Sequence, residues 1–124
     1  MSILELKSLE FEDELQKWET EYKKGFSKPF ILLTLGEKPN YPYQVTKTII
    51  GKTKGQIAIA GSNIYPILKT LEDNGLILGQ KDEKSRKRMY SLTEKGKEFV
   101  IPLVHSMKEF IQIVQEMIDT HGDL

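Results

Sequence analysis

The 124-residue chain contains no cysteine. That absence removes disulfides, thiolate metal sites and cysteine nucleophiles together, and it fits a reducing compartment. The chain also lacks an apolar run of about 18 residues and a basic N-terminal stretch leading into an apolar one, so neither a membrane span nor a signal peptide is indicated. A soluble, cytoplasmic protein with no membrane partner is expected. Histidine is scarce: His105 and His121 are the only two, both in or near the last helix, and with no cysteine no zinc site is expected. Gly51-Lys52-Thr53 has the look of the end of a phosphate-binding loop, but Thr46 stands where that loop needs a glycine and no strand precedes it. No Ser-His-Asp arrangement or paired-carboxylate cleft is signalled, so no enzyme and no cofactor is expected.

What is present is one domain's worth of ordinary globular sequence, 39% hydrophobic and 29% charged. Charge is balanced overall and uneven along the chain. Residues 1–22 carry seven acids and two bases, residues 23–99 fifteen bases and seven acids, and residues 100–124 four acids and one base. The segment charges are therefore −5, +8 and −3, summing to the formal net charge of zero. A basic middle between acidic ends is the footprint of a polyanion that touches only the middle, and equally of plain solvated surface charge.

Hydrophobic periodicity predicts the elements. Leu4, Phe11, Leu15, Trp18 and Tyr22 form a seam on a first helix that Gly25 is expected to end. Ser27 or Lys28 leads into Pro29, and Phe30, Ile31, Leu33 and Thr34 follow as a short apolar helix stopping near Gly36. Asn40 to Pro42 repeats the signal for a helix through Val45 and Ile49 to Gly51, and a partly extended loop is expected from there to Gly61. A further helix from Ser62 or Asn63 puts Ile64, Leu68 and Leu71 on one face, with Pro66 expected near its first turn. Asn74-Gly75-Leu76 then reads as a Schellman ending with Gly75 left-handed. Leu76–Gln80 and Arg88–Leu92 read as strands around a polar tip, Lys81 to Lys87. Thr93 is the expected cap of a last helix to about Thr120, with Pro102 as a possible bend.

This order predicts a mainly α fold with a small β-hairpin: a winged helix-turn-helix with added N- and C-terminal dimerisation helices. Its helix from Ser62 can enter a major groove about 12 Å wide, while the hairpin tip reaches the flanking backbone or minor groove. Taken singly, Tyr65 also reads as a partly buried aromatic, Asn63 as a helix cap, and the charged tip as a solubilising loop.

Three stretches in order, Tyr41-Pro42-Tyr43-Gln44-Val45, Asn63-Ile64-Tyr65-Pro66-Ile67-Leu68 through Asn74-Gly75-Leu76-Ile77, and Arg88-Met89-Tyr90-Ser91-Leu92-Thr93-Glu94-Lys95-Gly96, resemble the PadR family of transcription regulators over about residues 28–100. Pro42, Gln44 and Ser62 depart from the family pattern, where a glycine, an acid and a glycine are usual. The resemblance implies a homodimer, a recognition helix with a tyrosine near its start, and a wing on the DNA backbone. Carried onto this chain, it puts Ser62, Asn63, Tyr65, Lys69 and Thr70 at the groove and Lys84, Ser85, Arg86, Lys87 and Arg88 at the wing.

The expected layout is a DNA-binding module at 26–93 between dimerisation segments at 1–25 and 94–124. The last helix carries two apolar seams, one of Leu103, Met107, Phe110, Val114 and Met117 and one of Val100, Val104, Ile111 and Ile118. So small a domain cannot readily cover both, and Leu103, Met107, Phe110, Ile111, Val114, Met117 and Ile118 are expected at a two-fold interface with Leu15, Trp18 and Tyr22, the alternative being that both seams serve one chain's core. If Trp18 and its seam pack on the last helix, one seam is left for the partner. The expected function is sequence-specific binding of double-stranded DNA by a homodimeric transcriptional regulator, a repressor in sense. A winged-helix protein-interaction module and a DNA binder in plasmid or viral replication or partition are the alternatives. Trp18, Met107 and Phe110 could line an effector pocket in such a dimer, though aromatic and methionine side chains at helical spacing are more often simple packing, and no ligand is predicted.

Overall fold

The computed structural model describes residues 2–121; Met1 and residues 122–124, the outer ends of the two expected dimerisation segments, lie outside them. Five helices and one hairpin follow in the order α1 (Ile3–Lys24), α2 (Ser27–Glu37), α3 (Pro42–Lys52), α4 (Gly61–Asp73), β1 (Ile77–Lys81), β2 (Arg88–Leu92) and α5 (Glu94–Asp119).

The core sits where α2, α3, α4 and the hairpin meet. Ile31, Leu32, Leu35, Val45, Ile49, Ile64, Leu68, Leu71 and Ile77 are almost completely buried there, each worth roughly 1.5–3 kcal/mol of apolar burial. Asn40 exchanges both backbone hydrogen bonds with Tyr90 (2.9 Å each), so the α2–α3 connection runs as a third extended segment beside β2. Two buried residues come from the loop before α4, Ile57 and Ile59. Thr53 organises that loop: its hydroxyl accepts from the Ile57 N–H (3.1 Å) and donates to the Ile49 carbonyl (2.8 Å).

Several element ends differ from the sequence expectation, each for a local reason. α1 opens on a capping box, Ser2 Oγ accepting from Glu5 N–H and Glu5 reaching back to Ser2 N–H. α2 runs through Gly36 and stops at Lys38, which is extended because Pro39 follows it. α3 continues one residue past Gly51, and Lys54 and Gly55, both left-handed, turn the chain afterwards. Asn40 does not cap α3; Tyr41 holds that position, with Pro42 buried in the first turn.

α4 starts at Gly61 rather than at Ser62 or Asn63, so a glycine does open this helix, one position ahead of Ser62. Pro66 consequently falls in the second turn, where its missing N–H leaves the Ser62 carbonyl without a helical donor. The C-terminus is the expected Schellman motif: Gly75 has φ +74, its N–H donates to Glu72 (2.9 Å) and the Leu76 N–H to Leu71 (3.0 Å). The strands pair antiparallel with Ile77 opposite Leu92 and Lys81 opposite Arg88, so β1 is displaced one residue from Leu76–Gln80 and the tip is Asp82 to Lys87.

Thr93 welds the end of α4 to the start of α5. Its hydroxyl donates to the Gly75 carbonyl (2.6 Å) and accepts the Gly96 N–H (3.0 Å), while its own N–H bonds Leu76 O (3.1 Å). Gly96 is the only buried residue of α5, and a Cβ there would lie 2.1 Å from the Leu76 carbonyl oxygen. Val100 and Leu103 add partly buried contacts to the core, and α5 is unbroken through Pro102.

The terminal helices are otherwise bare within one chain. α1 buries no residue, and Leu15, Trp18 and Tyr22 are exposed, Trp18 by 65%. α1 does not lie along α5, so the packing of the Trp18 seam on the last helix is not made within the monomer. On α5, Leu103, Met107 and Val114 are half-buried, whereas Phe110, Ile111, Met117 and Ile118 are exposed.

Candidate nucleic-acid interface

α4 turns one line of residues into the core and the rest to solvent. Ile64, Leu68 and Leu71 point into the core, which forces Ser62, Asn63, Tyr65, Lys69 and Thr70 outward, and all five are exposed. Tyr65 is 60% exposed and so is not a core aromatic. Asn63 is not a cap: Ala60 occupies that position, and its methyl group leaves the first-turn N–H groups of α4 without a side-chain partner. Lys69 lies 3.5 Å from Asp73 one turn on, an exposed pair that a stronger anion can compete for. The five residues picked from sequence therefore all lie on the exposed side of α4, with Tyr65 and Asn63 on its two flanks.

Beside it stands the hairpin tip, which is ordered by Asp82. The Asp82 carboxylate accepts from the Tyr41 hydroxyl (2.6 Å), the Lys84 N–H (3.1 Å) and the Ser85 hydroxyl (3.0 Å). These bonds, that from Tyr41 first, hold its carboxyl below the ordinary range. Backbone bonds Arg86 N–H to Asp82 O (2.8 Å) and Asp82 N–H to Lys87 O (2.7 Å) close the loop. Arg86 takes φ +60, a left-handed conformation uncommon outside glycine and asparagine. Lys84, Ser85, Arg86 and Lys87 are all exposed, and the tip is held in one shape by an acid that the sequence alone shows only as part of a charged run.

Arg88 behaves differently from its neighbours. Its guanidinium lies 3.2 Å from Glu72 of α4 and 5.9 Å from the Tyr90 ring centre. Gly79 lies under it, since a Cβ on Gly79 would come within 2.5 Å of Arg88 Nε. Burial, and then the charge of Glu72, raise the Tyr90 phenol above its ordinary value, so it stays neutral. The Glu72–Arg88 pair thus bridges the hairpin and α4 at the exposed edge of their junction, beside the buried Ile77 and Tyr90.

Two groups were not picked from sequence. Tyr43, 69% exposed, carries Lys47 over its ring at 5.4 Å on the outer side of α3. Lys23, Lys24 and Lys28 line an open groove of about 1050 Å³ between the α1–α2 junction, the loop before α4 and α4 itself. The alternation of Tyr43 and Lys47 with buried Val45, Thr46 and Ile49 could have shown the first; the second needs the fold. Among the described residues no cluster of three metal-ligating side chains exists, and no helix is long and apolar enough to cross a membrane.

Three packed helices, the second and third forming a helix-turn-helix, closed by a hairpin with an ordered polar tip, define the winged-helix class. The chain belongs to the PadR-like family of transcriptional regulators, whose sequence profile matches residues 31–100. Its fold is similar to that of a PadR family transcriptional regulator from Eggerthella lenta (21% identity, TM-score 0.74, covering 90% of this chain and 98% of that one). It is also similar to a transcriptional regulator from Clostridium thermocellum (23% identity, TM-score 0.72, 80% and 96%). A Lysinibacillus sphaericus protein of uncharacterized function is 26% identical over 94 residues, 73% of this chain and 86% of that protein. Membership places the chain among transcriptional regulators.

Proposed function

We propose that the chain is a homodimeric, sequence-specific regulator of transcription that binds double-stranded DNA through residues 26–93 and dimerises through residues 1–25 and 94–124. The observation that carries the reading is the exposed surface made by α4 and the wing, bridged by the Glu72–Arg88 pair. α4 enters the major groove, with Asn63, Tyr65, Lys69 and Thr70 at base edges and Ser62 at its N-terminal end, where uncapped N–H groups suit a phosphate. Lys84, Arg86 and Lys87, with Ser85, meet the flanking backbone or minor groove, and contacts of this kind position the module while the α4 side chains specify the site.

Dimerisation is supported by the apolar seams that one chain leaves in solvent. Trp18, Phe110, Met117 and Ile118, each more than half exposed, are costly to leave in water and mark a surface that a second copy covers. Repression, by a dimer bound where it overlaps a promoter, is the sense of regulation proposed. Selection of bound duplexes from a random pool tests the whole reading. It should return a two-fold palindrome whose half-site centres lie about one helical turn, 10–10.5 base pairs, or a multiple of it apart. A pool in which no sequence is enriched would contradict sequence-specific recognition, and enrichment of a single unrepeated site would contradict the dimer.

A further inference from the structure

The groove beside α4 extends the surface described above in a direction that its wing does not reach. Successive residues of a helix are about 100° apart, so the buried line of Ile64, Leu68 and Leu71 divides the rest of α4 into two flanks. Tyr65 and Glu72 fall on one flank, and Glu72 meets the wing there through Arg88. Asn63 and Ile67 fall on the opposite flank, with Ser62, Lys69 and Asp73 facing outward between the two. Asn63 and Ile67, with Pro66 at the outer edge, are the α4 residues that line the groove, whose far wall carries Lys23, Lys24 and Lys28.

The far wall is basic and pre-shaped. Lys23 is held by Glu19 (3.3 Å) and by the Gln56 side-chain carbonyl (2.7 Å) from the loop before α4, which fixes the end of α1 against that loop. Lys24 and Lys28 form no ion pair among the described residues, and both are exposed. Their charges therefore stand free along one edge of the groove, with Glu19 the single acid lining it.

We propose that this groove seats the DNA backbone on the side of the recognition helix away from the wing, with Lys24 and Lys28 as phosphate ligands. The duplex is then gripped on both flanks of α4, and the end of the N-terminal helix belongs to the DNA-facing surface as well as to the dimer. The inference rests on the DNA reading above. It follows from placement, since a helix seated in the major groove has a phosphate strand on either side of it. The wing answers one strand, and the groove lysines are the basic group on the other flank.

Salt dependence of duplex binding tests it. Each phosphate contact contributes about 0.9 to the slope of log affinity against log salt, so Lys24→Ala with Lys28→Ala, present twice in a dimer, should lower the slope by about 3 to 4. Lys24→Arg with Lys28→Arg should keep the wild-type slope. Phosphate-ethylation interference on the same duplex should weaken in the alanine variant at one set of phosphates, distinct from the set that weakens in Arg86→Ala with Lys87→Ala. Both lysines are exposed, so the helical circular dichroism should be unchanged. If the alanine variant keeps the wild-type slope and interference pattern while the wing variant loses its own, the groove does not hold DNA, although the DNA reading stands. If the wild type itself shows no salt-dependent duplex binding, both fall together.

Discussion

Replacing Gly96 by alanine puts a methyl carbon where the backbone of another element already lies. The Cβ would sit 2.1 Å from the Leu76 carbonyl oxygen and 3.1 Å from its carbon. Even a favourable C–H···O contact needs about 3.3 Å, so the start of α5 must retreat by about 1 Å. Leu76 cannot yield, because its N–H closes the Schellman motif on Leu71 and its carbonyl accepts from Thr93. The retreat breaks the Thr93 bonds to Gly75, Leu76 and Gly96, which together cap α5 and tie it to α4. Overpacking costs about 1–3 kcal/mol and a lost cap about 1 kcal/mol, offset by at most about 1 kcal/mol from the better helix propensity of alanine. The net loss is about 1–3 kcal/mol, or a fall in thermal midpoint of roughly 4–15 °C for a chain of this size. Circular dichroism melts at one fixed protein concentration measure it, since a dimer's midpoint moves with concentration. A Gly96→Ala protein melting within about 2 °C of wild type would show that α5 is not seated on Leu76 as described, and the reasoning would fail.

Three further outcomes follow from the wing. Arg86→Gly removes a left-handed non-glycine residue, so it should raise stability by up to about 1 kcal/mol in urea unfolding while weakening duplex binding; a fall in both would show that Arg86 has a packing role. Glu72→Ala frees Arg88 and deletes a negative charge beside the DNA face, yet it should lower duplex affinity, because the wing loses its anchor, at a stability cost below about 1 kcal/mol for so exposed a pair. Tighter binding in a titration of that variant would instead make Arg88 a phosphate ligand held back by Glu72. The depressed Asp82 carboxyl makes the wing loop sensitive to acid with a defined sign: its contribution is fully present above the ordinary carboxylate value of about 4 and is lost as pH falls through the lower folded value. Amide shifts of Lys84 and Ser85 followed by NMR should therefore move only below about pH 4, and Asp82→Asn should abolish that step; a midpoint at or above the ordinary value would contradict the Tyr41 and Ser85 bonds.

Much of this was legible because local chemistry and global packing agree. The Asn74-Gly75-Leu76 ending, the Thr93 cap and the spacing of Ile64, Leu68 and Leu71 each specify their structure from a few neighbouring residues, and the structure forms all three. Helix ends decided by competition were harder. Gly36 weakens α2 without stopping it, because Ile31, Leu32, Thr34 and Leu35 just before it are buried, whereas Pro39 dictates the extended backbone of Lys38. Pro66 suggested a later start for α4, yet an exposed helix surface tolerates the missing bond that a buried one would not.

Long-range facts were not legible at all. Nothing local shows that Ile57 and Ile59 leave a polar, small-residue loop to complete the core, or that Asp82 gathers Tyr41 from forty-one residues away. The candidate surface divides the same way. The exposure of Ser62, Asn63, Tyr65, Lys69 and Thr70 follows from one helical period, whereas the engagement of Arg88 with Glu72 depends on the register of the hairpin against α4. The lysine groove depends on how α1 meets α2, which Gly25 does not mark, since it stays right-handed and the chain turns over only two residues.

The central claim is that one basic surface of this chain binds duplex DNA through its phosphates. Equilibrium titration of a fluorescent duplex at several salt concentrations measures it directly. The account predicts log affinity falling linearly with log salt with a slope of about −5 or steeper, as six or more phosphate contacts from two wings and two α4 ends require, and a shallower slope when Arg86 and Lys87 are both alanine. An affinity independent of salt, or no duplex binding at low ionic strength, would contradict it.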